Sequence, residues 1–204
     1  FRTTNGGRTW DKVLFISDHT GVIDLAMDPT DPKTVFASAW EMPNGRESGI
    51  YRTVDGGNTW KQLGSGLPEG PIGRSGLDIA PSNSRVVYAF IDNWAKWPSA
   101  ASGPQQRQIV GGEVYRSTDR GETWQRANTE DLYQVFSIYG WKFCDVRVSP
   151  DNENEIYILG NRAYHSTDGG RTYQRIGETI RRLNNTEGTS MHLDHHELWI
   201  DPAN

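Results

Sequence analysis

One cysteine in 204 residues, Cys144, excludes an internal disulfide and any cysteine-rich zinc site. Methionine is nearly as scarce, with three residues. No apolar stretch approaches the ~18 residues a membrane-spanning helix requires. Nor is there a run of Lys/Arg that would mark a nucleic-acid or lipid surface, and the formal net charge is −5. No cofactor is expected. Residue 1 is Phe rather than Met, so the lack of a visible leader says nothing about localisation. Long patterns of 3.6-residue period are also scarce. What the chain has is 22 Gly, eight Trp and eight Tyr, the composition of short strands joined by tight turns. The expected fold class is all-β. Cys144 lies among strand-type residues and reads as a small buried hydrophobe.

Two motifs repeat in phase. The first occurs as TTNGGRTW (3–10), TVDGGNTW (53–60), STDRGETW (117–124) and STDGGRTY (166–173). The second occurs as IDLAMDPTDPKTVFASAW (23–40), GLDIAPSNSRVVYAF (76–90) and CDVRVSPDNENEIYILG (144–160), and starts again as ELWIDPAN (197–204). Apolar residues two and four before each proline (Leu25/Met27, Leu77/Ile79, Val146/Val148, Leu198/Ile200) alternate as in a half-buried strand. A Pro/Asx/Ser turn, a second strand, a third strand before the Asp-x-Gly turn and a fourth carrying the aromatic complete the unit. Four short strands per ~50 residues make a β-propeller blade, antiparallel, with the Asp-x-Gly turn between strands three and four. In those turns Asn5, Asp55, Asp119 and Asp168 are expected to accept backbone N–H groups. Gly57, Gly121 and Gly170 permit positive φ. Trp60, Trp124 and Tyr173 bury area between sheets. One firm carboxylate per turn argues against a calcium loop.

The spacing divides the chain as 1–14 (end of one blade), 15–64, 65–128 with an insertion at 93–112, 129–177, and 178–204 (start of the next blade). The remaining blades of a larger propeller are therefore expected partners.

These motifs resemble the Asp-box, or BNR, repeat of sialidases, two-propeller xyloglucanases, photosystem II assembly factors and the Vps10 domain of sortilin. They are most similar to bacterial proteins labelled sortilin-like or glycosyl-hydrolase-like, on IDLAMDPTDPKTVFASAWE (23–41), SGIYRTVDGGNTW (48–60) and DHHELWIDPAN (194–204). The resemblance implies an extracellular or periplasmic location. It also implies a ligand face opposite the Asp-box turns, on the side where strand four connects to the next strand one. A sialidase is disfavoured, because the FRIP-type motif is absent from this stretch.

That face would carry Arg74, Trp94, Trp97, Trp141, His192, Asp194, His195 and His196 as candidate ligand contacts. Exposed rings can pack on pyranose faces while acids bond hydroxyls. Asp24, Asp145 and Glu197 share one repeat position, five before the proline, and Gly76 takes it in the remaining unit. They are either structural acids or candidates for a general acid–base pair in glycoside cleavage. Three functional readings follow: glycan binding or hydrolysis, a non-enzymatic sortilin-like scaffold for protein or peptide, and metal binding at His192, Asp194 and His196. The third is weakened because i, i+2 side chains on a strand lie ~6.8 Å apart.

Overall fold

The computed structural model describes residues 1–42, 45–97, 108–136, 139–177 and 193–202. Among the described residues, twelve strands form three four-stranded antiparallel sheets, each in sequence order. The first holds β1 (Thr20–Met27), β2 (Val35–Glu41), β3 (Gly49–Thr53) and β4 (Lys61–Leu63). The second holds β5 (Ile72–Ile79), β6 (Val87–Lys96), β7 (Ile109–Ser117) and β8 (Gln125–Arg126). The third holds β9 (Asp145–Val148), β10 (Ile156–Leu159), β11 (Ala163–Ser166) and β12 (Gln174–Ile176). One helical turn, α1 (Tyr133–Phe136), precedes β9. Among the described residues no helix is long and apolar enough to cross a membrane.

The Asp-box turns connect strands three and four of each sheet, and their hydrogen bonds explain the motif letter by letter. Asp55 Oδ1 accepts the Thr59 N–H at 2.9 Å, and Oδ2 accepts the Thr59 hydroxyl at 2.7 Å. The Thr53 hydroxyl donates to Asp55 at 2.8 Å and accepts the Gly57 N–H at 2.9 Å. Asp119 and Asp168 repeat the pattern with Ser117/Thr123 and Ser166/Thr172. Asn5 keeps it with an amide, accepting the Thr9 N–H at 2.9 Å. Gly121 (φ +79°) has a second constraint, because a Cβ there would come within 2.6 Å of the Phe36 ring in the preceding sheet.

The sheets stack through two apolar cores. One joins Phe36 and Ile50 of the first sheet to Leu77, Ile79, Ala89 and Trp124 of the second. The other joins Tyr88, Phe90 and Val114 to Val146, Val148, Ile156 and Phe136, with Phe90 stacked on Phe136 at 4.6 Å. The strand-one pairs Leu77/Ile79 and Val146/Val148 thus face the sheet before them and are buried.

Three expectations are corrected. Leu25 and Met27 are exposed (61% and 59%), while Ala26 between them is buried. No described sheet precedes theirs, and a cavity of about 780 Å³ separates them from Phe15 and neighbouring residues. Glu197–Pro202, expected as a strand, forms none, because no described segment offers it a ladder partner. The 93–112 insertion is not a plain loop. β6 and β7 run on into it, pairing Asn93 with Gly111 and Lys96 with Ile109 across a bulge.

Candidate functional site

β1, β5 and β9 lie side by side without a shared backbone ladder. Carboxylates cross the gaps instead. Asp24 accepts the Leu25 N–H of its own strand and the Leu77 N–H of β5, both at 2.8 Å. Asp78 accepts the Ile79 N–H at 2.9 Å and the Val148 N–H of β9 at 2.8 Å. Asp145 begins β9. One of its oxygens accepts from the Arg147 guanidinium, and its Oδ2 is buried with no hydrogen-bond partner. Arg147 also reaches Glu197, at 2.7 and 3.2 Å. Asp24, Asp145 and Glu197 are therefore gathered around Arg147 as the walls of a cavity of about 150 Å³, closed further by Arg74, Ser75, Lys142 and Phe143.

The carboxylates titrate high. Burial pushes Asp145 up to about 7 against the opposing Arg147, with Asp24 and Glu197 adding to the rise. Burial lifts Asp78 to about 6, resisted by the Val148 and Ile79 N–H groups. Asp24 is raised for the same first reason. Burial also lifts Asp92 to about 6, partly offset by the Trp94 N–H. The Asp-box carboxylates go the other way. Asp119 falls to about 2 through the Thr123 hydroxyl and N–H. In Asp168 burial acts upward, but the Thr172 and Ser166 bonds outweigh it and hold it at about 2.

The signs fix a pH profile. A carboxylate raised above its unfolded value of 3.8 stabilises the fold below that pH, and this contribution is lost as pH rises through about 6 to 7. The lowered acids contribute above 3.8 and lose their contribution as pH falls through about 2. Thermal melts should therefore show Tm falling between about pH 4 and about pH 7. Asp145→Asn should flatten that fall, because the amide cannot ionise. A Tm that rises over this range would overturn the assignment.

The segment after the third sheet is strapped to the cavity. Asp194 (φ +79°) accepts the Asn161 side-chain amide at 2.9 Å. The N–H groups of Asp194 and His195 donate to the Asn161 and Gly160 carbonyls at 3.1 and 2.9 Å. The His196 ring packs on Phe143 at 4.7 Å, and His195 joins the cavity wall. Asp194 and His196 thus have separate partners and are not drawn to one point. No group of three or more His/Cys/Asp/Glu among the described residues could hold a metal ion. His192 lies outside the described residues.

The tryptophans separate. Trp94, expected in a ligand-facing loop, sits in β6 and is half-buried, its indole N–H donating to Asp92 at 2.7 Å. Trp97 is half-buried at the end of the β6–β7 ladder, its backbone N–H donating to the Gln108 carbonyl at 3.0 Å. Trp141 is exposed (50%) and immediately precedes two cavity residues, Lys142 and Phe143. The Arg74 guanidinium lies 5.6 Å from the Trp40 ring, and its Nε has no partner. The Cys144 thiol donates to the Phe90 carbonyl at 3.0 Å, and burial pushes its pKa well up, which disfavours the thiolate. Sequence reasoning overlooked Ser75, Asp78 and Arg147. The last two had one visible signal: charged residues at a repeat position that Ala26 and Trp199 fill elsewhere.

Residues 115–126 match the BNR/Asp-box repeat. The three sheets are β-propeller blades. Solved structures with the same arrangement include the GH74 enzyme of Niastella koreensis (TM-score 0.50, 24% identity, 76% of this chain and 22% of that one). A YCF48 bound to D1 peptide is another (0.51, 14%, 77% and 40%). In sequence, the chain is 29% identical over 121 residues to Xyloglucanase Xgh74A of Acetivibrio thermocellus, covering 53% of this chain and 12% of that protein. It is 28% identical over 121 residues to a xyloglucanase of a Paenibacillus species, covering 53% and 10%. The chain thus spans about a tenth of the length of these curated relatives.

Proposed function

We propose that this chain belongs to a carbohydrate-active β-propeller and contacts glycan at the inner-strand cavity. The observation that carries the reading is the gathering of Asp24, Asp145 and Glu197 around Arg147, with the exposed Trp141 next in sequence to the cavity residues Lys142 and Phe143. Carboxylates accept sugar hydroxyls, and an exposed indole supplies a flat apolar face for a pyranose. The xyloglucanase relatives support the same class. If the whole protein hydrolyses its ligand, Asp145 suits the role of proton donor and Asp24 or Glu197 that of base. An extracellular or periplasmic site of action fits such a substrate. On this reading the blades run 15–64, 65–128 and 129–177, with 1–14 and 178–204 as parts of two more; the sheets at 20–63, 72–126 and 145–176 support the three inner limits.

The test is a titration of the protein carrying this chain with xyloglucan and β-glucan oligosaccharides. Trp141→Ala and Asp145→Asn should each weaken binding by about tenfold, the scale of one lost ring or charge-assisted contact. Absence of binding to every glucan would overturn the proposal, and binding of peptides instead would restore the sortilin-like scaffold reading.

A further inference from the structure

Each Asp-box turn carries one variable residue between its second glycine position and its threonine: Arg8, Asn58, Glu122 and Arg171. In the second sheet that residue closes the groove against the first sheet. Glu122 takes the Arg52 guanidinium on Oε1 and the Lys61 ammonium on Oε2, the latter at 3.1 Å. Both cations come from the preceding sheet, Arg52 from β3 and Lys61 from β4. The groove between the second and third sheets repeats the plan with one sign reversed. The preceding sheet again gives two cations, Arg116 from β7 and Arg126 from β8. The turn that meets them presents Arg171 at the position of Glu122. These three arginines line a cavity of about 260 Å³.

The acids nearby are engaged elsewhere. Among the described residues the one acid on the cavity wall is Asp168. Its carboxylate serves its own turn, accepting the Arg171 and Thr172 N–H groups and the Thr172 and Ser166 hydroxyls. Glu153 meets Arg116 and Glu113 meets Arg126, each at 3.1 Å, but neither glutamate lines the cavity. Formal charge is therefore even, and selection rests on the donors a ligand would meet. A guanidinium has five N–H donors, so one carboxylate partner leaves others to give. They can be reached: the Arg126 side chain is 47% exposed, that of Arg116 26%, and Arg171 is exposed. Thr118 and Gln125 add exposed neutral donors. The volume falls short of the ~300 Å³ at which pockets for drug-sized ligands begin, which suits one small group.

We propose that this groove is a binding site for an oxyanion (carboxylate, phosphate or sulfate), which takes the part that the Glu122 carboxylate plays in the groove before it. Forked guanidinium donors match the paired oxygens of such groups. The site is independent of the glycan reading, because no residue lines both cavities.

Sulfate and phosphate stabilise many proteins without binding a site, so calorimetric titration is the test rather than a melt. The protein carrying this chain is titrated with sulfate, inorganic phosphate and glucuronate at constant ionic strength, with chloride as the reference. At least one oxyanion should bind where chloride does not. Arg171→Ala should weaken that binding about tenfold or more, the scale of a lost hydrogen bond between charged groups. Arg171→Glu, which rebuilds the Glu122 arrangement, should abolish it. Arg8→Glu, at the same motif position in a turn outside the groove, should leave it unchanged. Glucuronate binding ahead of the inorganic ions would assign a uronic-acid carboxylate, and the reverse order a phosphate or sulfate group. Binding of none of the three, or binding that survives Arg171→Glu, would overturn the proposal.

Discussion

Replacing Trp124 by alanine is expected to lower the unfolding free energy by about 3–5 kcal/mol, the usual cost of deleting a large ring from a packed core. Trp124 is 3% exposed and lies in the core shared by the first two sheets. Its indole N–H also donates to the Gly121 carbonyl at 3.1 Å, tying the ring to its own Asp-box turn. The loss therefore removes packing between sheets and a bond within the turn together. Trp10 occupies the same repeat position but is 59% exposed. Trp10→Ala should change stability by no more than about 0.5 kcal/mol. Urea denaturation of both variants checks the pair. Similar losses would show that the motif aromatic acts within its own turn rather than between sheets.

Making the repeat more regular at position 76 should damage it. Gly76 occupies the place held by Asp24, Asp145 and Glu197 in the other units, so Gly76→Asp restores the repeat pattern. A Cβ at Gly76 would come within 2.6 Å of the Cys144 carbonyl oxygen and 2.9 Å of the Asp145 Cα, both backbone atoms of the adjoining inner segment. Backbone cannot swing aside as a side-chain tip can. The substitution also adds a charge beside three carboxylates. A destabilisation of about 3 kcal/mol or more is expected, with Gly76→Ala sharing most of it. Gly21→Ala, where nothing lies within 4 Å of the added Cβ, should be close to neutral and serves as the control. A Gly76→Asp protein that melts like the parent would disprove the close approach.

The parts of this structure that were legible in the sequence are those governed by neighbours along the chain. Thr53, Asp55, Gly57 and Thr59 satisfy one another within seven residues, so the spacing alone reveals the turn. Alternation in Leu77-Asp78-Ile79 reveals a strand for the same reason. What was hidden depends on neighbours across the fold. Leu25 reads like Leu77, yet only Leu77 has a sheet in front of it. Asp78 and Arg147 hold variable positions, and their roles appear only once β5 and β9 are adjacent. Trp94 reads as a loop ring because its surroundings are rich in Pro, Gly and Gln, but the β6–β7 ladder continues past it. The acids at the shared repeat position were legible as a set. Arg147, which gathers Asp145 and Glu197, was not.

The carboxylates that cross between inner strands have a consequence for how such rings can be rearranged. Asp24 stands five residues before its proline and grips Leu77, four before the next. Asp78 stands three before its proline and grips Val148, two before the next. The two clasps thus sit at different heights along the adjoining first strands, like keys cut to different depths. A gene that swapped the second and third blades would preserve every Asp-box and every apolar stripe and still part Asp78 from the Val148 N–H that it grips. These units are alike in shape but ordered in sequence, and their order is written between the first strands rather than at the turns that make them look interchangeable.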